Sequence, residues 1–180
     1  VRTRDMREFS SAHRFGLILA RVGLGESAQT QQLAHDLSLS HMQLLAEATD
    51  IPSSHCELLA ETQRHYRVAL VSNFDHAATA RTILHRDGAA EYFAHIVISD
   101  EHGWRKPHPR IFTDTLASLG VEPQEALFVG DSPYDDIRGA TGVGMDVAWV
   151  NAQGAPLPDE TPMPRYIVRA IPELRSVLLS

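Results

Sequence analysis

Cysteine is almost absent. Cys56 stands alone among the 180 residues, so no disulfide can close within the chain, and a reducing, cytoplasmic setting suits it. No apolar run approaches the roughly 18–20 residues that cross a bilayer. The charged opening Val1-Arg-Thr-Arg-Asp is followed by no apolar segment of a secretion signal. Positive charge is short as well: 16 basic residues face 23 acidic ones, and the net −7 argues against nucleic-acid partners and acidic membranes. Neither an internal repeat nor a low-complexity tract occurs. Lysine is scarcest of all, because Lys106 is the only one among those basic residues and the rest are arginine. What remains is 43% apolar and 22% charged, the balance of a globular domain long enough to bury a sizeable core. Oligomeric state is not legible from these residues.

The first third reads as helices. A helical pattern over 9–22 ends at Gly23 and Gly25. From Ser27, Leu33, Leu37, Leu44, Leu45 and Ala48 recur at helical spacing, with a break expected near 38–40. Pro52 stops that element, and Ser54 with Glu57 forms a capping-box pattern for a third helix. After residue 66 the pattern becomes strand, loop, helix. Apolar strands are predicted at 67–72, 96–99, 126–129 and 147–150, with an edge strand at 166–168 and a closing helix over 172–179. Asp75 is positioned to cap the helix after the first strand. Continuous apolar strands alternating with helices predict an α/β fold, a Rossmann-like parallel sheet covered by helices on both faces.

Parallel strands open their carboxyl ends on one rim, where α/β sheets hold ligands. Three of these ends carry polar chemistry. The first delivers Ser72 and Asn73, a hydroxyl and an amide suited to phosphate oxygens, although Ser-Asn is also ordinary turn chemistry. The second leads to Lys106, a compact ammonium in a chain that otherwise uses arginine. The third delivers Asp131, followed by Asp135 and Asp136 at a helix start, where acids also favour the helix dipole. Oxygen ligands of this kind suit Mg²⁺. A hydroxyl, an ammonium and a metal-binding acid converging on one rim would clamp a phosphoryl group and neutralise its charge.

Three segments carry a family resemblance: Val71-Ser72-Asn73, Arg105-Lys106-Pro107-His108-Pro109-Arg110-Ile111-Phe112, and Val129-Gly130-Asp131-Ser132-Pro133-Tyr134-Asp135-Asp136-Ile137-Arg138-Gly139-Ala140. In order and spacing they resemble motifs II, III and IV of the haloacid dehalogenase-like hydrolases. The resemblance implies a Mg²⁺-dependent phosphohydrolase of small phosphorylated metabolites, working through an aspartyl-phosphate. In that analogy Ser72 binds the phosphoryl oxygens and Lys106 neutralises phosphate and nucleophile. Asp131 would ligate Mg²⁺, supported by Asp135 or Asp136. Residues 1–54 resemble part of a small helical cap, and 55–180 the core.

The family's motif I, a strand ending in Asp-x-Asp that supplies the nucleophile, has no match, since no Asp-x-Asp occurs in the chain. Asp5 follows no buried strand and is refused the role. The nucleophile is therefore expected upstream of residue 1, and the chain alone is expected to be inactive. The missing strand is the central one in such a sheet, between those at 67–72 and 126–129. Its absence would leave these about 9–10 Å apart, with unpaired backbone groups on both edges. Two alternatives stand beside the phosphatase: a haloacid dehalogenase, which needs no metal, and a non-catalytic binding protein of the same fold.

Overall fold

The computed structural model describes residues 6–179; Asp5 lies outside them. Helices α1 (Ser11–Arg21), α2 (Ala28–Ala48) and α3 (Ser53–Thr62) come first. Then follow β1 (Ala69–Ser72), α4 (Ala77–Arg86), β2 (His95–Ile98), α5 (Ser99–His102) and α6 (Pro109–Leu119). Strand β3 (Leu127–Gly130), a π-helical turn (Pro133–Ile137) and α7 (Arg138–Gly142) lead to β4 (Asp146–Val150), β5 (Tyr166–Val168) and α8 (Arg175–Leu178). The ladders between these described strands are all parallel, so the α/β expectation is met. No helix among the described residues is long and apolar enough to cross a membrane.

The strands form two sheets, not one. β1 pairs with β2, and β3–β4–β5 form the second, with no ladder joining β1 to β3. Side chains alternate across a strand, and the two faces of this interrupted sheet differ. On one face, Ile111 and Phe112 of α6 join Val97 of β2 to Phe128, Val147 and Trp149 of the other sheet in one cluster. Phe112 meets Phe128 edge-on at 5.2 Å between centroids. Gly139 makes this approach possible, because a Cβ there would fall 2.6 Å from the Phe112 ring. On the opposite face the core is split. Ala77, Ala80 and Ile98 gather around α4, and separately Leu58, Ala148, Val168 and Leu174 gather around α3. Beside the interruption, Val129 of β3 is 37% exposed, whereas Val147 of β4 is 2% exposed.

Several local expectations are corrected. Helix α2 runs unbroken through 38–40, because Ser38 falls on its buried face with its hydroxyl against that of Ser11. Helix α3 starts at Ser53, one residue too early for Ser54 to cap it, and its N-terminus has no side-chain cap. Asp75 does not cap α4 either. His76 does, accepting from the Thr79 N–H, while Asp75 pairs with Arg14 of α1.

Candidate active site

Strand β3 ends in a tight knot. Ser132 accepts the Asp135 N–H on its hydroxyl (3.0 Å) and the Asp136 N–H on its carbonyl (2.9 Å). Its own N–H donates to Asp136 Oδ2 at 2.9 Å, which folds that carboxylate back beneath the strand end. Only glycine fits at position 130, since a Cβ there would overlap the Asp136 carboxylate. The carbonyl of Asp131 accepts from Trp149 Nε1 (3.1 Å), which fixes the backbone while leaving the Asp131 side chain exposed at the rim.

Lys106 reaches this knot from the loop before α6. Its Nζ lies 2.8 Å from Asp136 Oδ1, with both side chains nearly buried (12% and 3% exposed). Beyond this ion pair, no hydrogen bond within the described residues satisfies that oxygen. The ammonium also sits 5.2 Å from the Phe128 ring centroid. Phe128 belongs to the cluster that spans both sheets, so the packing that joins the sheets also supports the cation.

Asn73 ties β1 to the same loop. Its Oδ1 accepts the Lys106 N–H at 2.7 Å and its Nδ2 donates to the Lys106 carbonyl at 3.0 Å. Both ends of the amide are thus engaged by backbone, and Ser72 is the adjacent strand-end residue. Three segments that are far apart in sequence meet here: the end of β1, the Lys106 loop and the end of β3. Asp136, rather than Asp135, is the acid that meets Lys106. The Asp135 side chain is half-buried beside it in the turn.

A Mg²⁺ ion would meet a donor set of the right character here. Among the described residues no three His, Cys, Asp or Glu side chains gather into a closed cage. Mg²⁺ does not require one, because it is usually held by one or two carboxylates with phosphate and water. The under-bonded Asp136 Oδ1 and the exposed Asp131 carboxylate are such donors.

Glu8 gave no sequence signal. It is 6% exposed, accepts the Ser99 hydroxyl on Oε2 at 2.5 Å, and holds Oε1 3.7 Å from Arg105. A cleft of about 1000 Å³ opens between α1, α2 and the rim, lined by Phe9, Arg14, Leu17, Met42, Asn73 and Arg105 among others. Below the Lys106 loop, Trp104 stacks on His108 with centroids 3.8 Å apart, and Arg7 lies over its ring. Burial, then the charges of Arg110 and Arg7, hold His108 below the usual histidine range.

A family model, that of the haloacid dehalogenase-like hydrolases, matches residues 9–144. A glyceraldehyde 3-phosphate phosphatase of Pyrococcus abyssi is 31% identical over 80% of this chain and 60% of its own length. A phosphoserine phosphatase of Thermus thermophilus is 32% identical over 73% of this chain and 52% of its own. Among solved structures, a 2-haloacid dehalogenase of Pseudomonas syringae superposes with a TM-score of 0.75 at 26% identity, covering 94% of this chain and 70% of that one. The chain thus spans between about half and three-fifths of these curated relatives.

Proposed function

Because the chain belongs to the haloacid dehalogenase-like hydrolase family, we propose that its rim is part of the active site of a Mg²⁺-dependent phosphohydrolase acting on small phosphorylated metabolites through an aspartyl-phosphate. The observation that carries this reading is the 2.8 Å contact between Lys106 and Asp136, because it draws the chain's sole lysine to the end of β3. A buried ammonium beside a carboxylate forms a local dipole that an incoming dianion can share. Ser72 donates its hydroxyl to a phosphoryl oxygen, and Lys106 offsets the negative charge that accumulates as the ester bond breaks. Asn73 fixes the Lys106 backbone through its Oδ1 and one Nδ2 hydrogen, and its second Nδ2 hydrogen can donate to phosphate. Asp131 and Asp136 are the metal donors, with Asp135 in support. The bound Mg²⁺ would supply further charge neutralisation and orient the phosphoryl group.

In this reading the nucleophile belongs to a strand outside the 180 residues, seated between β1 and β3, each of which is an edge strand among the described residues. In this reading residues 1–54 belong to part of a helical cap and 55–180 to the core, and the described helices α1 and α2 line the cleft. The relatives that are named phosphatases support this chemistry over halide release, as does the acid cluster, because carboxylates lacking a cation would repel an anionic haloacid. The test is phosphate release from p-nitrophenyl phosphate by a longer form of the protein carrying that strand. Release that requires Mg²⁺ and falls at least about a hundredfold in Lys106→Ala and Asp131→Ala supports the reading. Undiminished release in both variants overturns it, and halide release that survives chelation favours the dehalogenase instead.

A further inference from the structure

We infer that Glu8 is a positioning residue for Lys106, latching the segment that leads into α1 to the loop that carries the lysine. The inference rests on the reading of Lys106 as the cation of the active site. The attachment is dense for so short a segment. Arg105 N–H donates to the Met6 carbonyl and Glu8 N–H to the Gly103 carbonyl, both at 3.1 Å, which makes an antiparallel bridge one residue short of Lys106. Within that bridge the Glu8 carboxylate turns inward. One oxygen takes the hydroxyl of Ser99, a residue with no exposure, and the other faces the Arg105 guanidinium. Ser99 in turn accepts the Phe74 N–H at 2.9 Å, next to the Asn73 amide that clamps Lys106.

The Lys106 backbone is therefore held from two sides, by Asn73 at the end of β1 and by Glu8 through Arg105. A buried carboxylate in this place is more than a filler. Without it the Ser99 O–H, whose oxygen still accepts the Phe74 N–H, has only the Phe74 carbonyl at 3.3 Å to donate to, and Arg105 loses the Glu8 counter-charge. Residues 6–8 run directly into Phe9, which lines the cleft, and then α1, whose Arg14 pairs with Asp75. A shift of α1 is thus transmitted to the lysine through Glu8, which itself lines the cleft.

The sole lysine supplies a specific readout. Trace acetylation with acetic anhydride at one fixed pH, followed by the mass of the Lys106 peptide, reports the reactivity of that ε-amine alone. In the parent chain the amine should react slowly. Glu8→Ala should raise its rate about tenfold, the factor associated with one lost charged hydrogen bond, and Glu8→Gln should fall between, keeping the Ser99 contact but not the charge. Leu174→Ala, which loosens the core far from the rim, should leave the labelling rate unchanged. Labelling of Glu8→Ala indistinguishable from the parent overturns the inference, and if that variant does not fold, an unchanged rate in Glu8→Gln does so. An Asp136→Asn variant separates this from the functional reading. If it alters Lys106 labelling, and Glu8→Ala does too, while phosphate release by the longer form proves independent of Lys106, the latch stands and the phosphatase falls.

Discussion

The two faces of the interrupted sheet are built from the same strands yet end differently. On the α6 side, Ile111 and Phe112 carry one core across the interruption, and Val71 packs against it as well. On the α3 and α4 side the core stops at the edges of β1 and β3 and resumes as two separate clusters. The side chain that marks the difference is Val129, an apolar strand residue left 37% exposed. A helix can bridge two half-sheets because its side chains reach both, but only a strand can satisfy the backbone edges between them. One face is closed by packing, and the other is left in two separate clusters.

That contrast can be attacked directly. The largest effect is expected for Phe112→Ala, which removes the ring joining the sheets and should cost about 3–5 kcal/mol in urea unfolding. If α6 is the joint, the melting of both sheets should also lose its coincidence in that variant. Next comes Asp136→Ala, which strands a nearly buried ammonium. Breaking such a pair costs roughly 3 kcal/mol or more, read from the same titration. Gly130→Ala should cost about 1–3 kcal/mol by forcing the Asp136 carboxylate from its seat, and should raise Lys106 reactivity as well. A smaller, pH-specific effect belongs to His108. Its folded value is depressed, so the unfolded chain binds the extra proton first as pH falls. Stability should therefore be full above the ordinary histidine value, about 6.5, and decline as pH drops below it, and His108→Gln should flatten that slope in thermal melts. The smallest effect is set by Arg81 and Glu101, paired but largely in water, where Glu101→Gln should cost less than about 1 kcal/mol.

Much of this was legible in the sequence, for identifiable reasons. The strand ends were found because buried parallel strands write continuous apolar runs, and the family motifs sit at their carboxyl ends. Lys106 stood out because the chain has no other lysine. The lack of a ladder between β1 and β3 agrees with the expectation drawn from the absent Asp-x-Asp. Hidden were the features set by distant partners. Glu8 looks like any linker acid until the fold brings Ser99, 91 residues away, onto its carboxylate. Asp75 carries a capping signature, but Arg14 claims it from α1. Asn73 reads as a phosphate donor, yet the Lys106 backbone engages both ends of its amide. Ser38 resembles a helix breaker until its hydroxyl is seen turned inward against Ser11.

Amide hydrogen exchange, resolved residue by residue, tests the open edges most directly. β4, paired on both sides, should be protected throughout, whereas alternate amides of β1 and β3 should exchange about as fast as loops and become protected only in a longer form that carries the proposed strand. Uniform protection along β1 and β3 in this chain, equal to that of β4, would contradict the account.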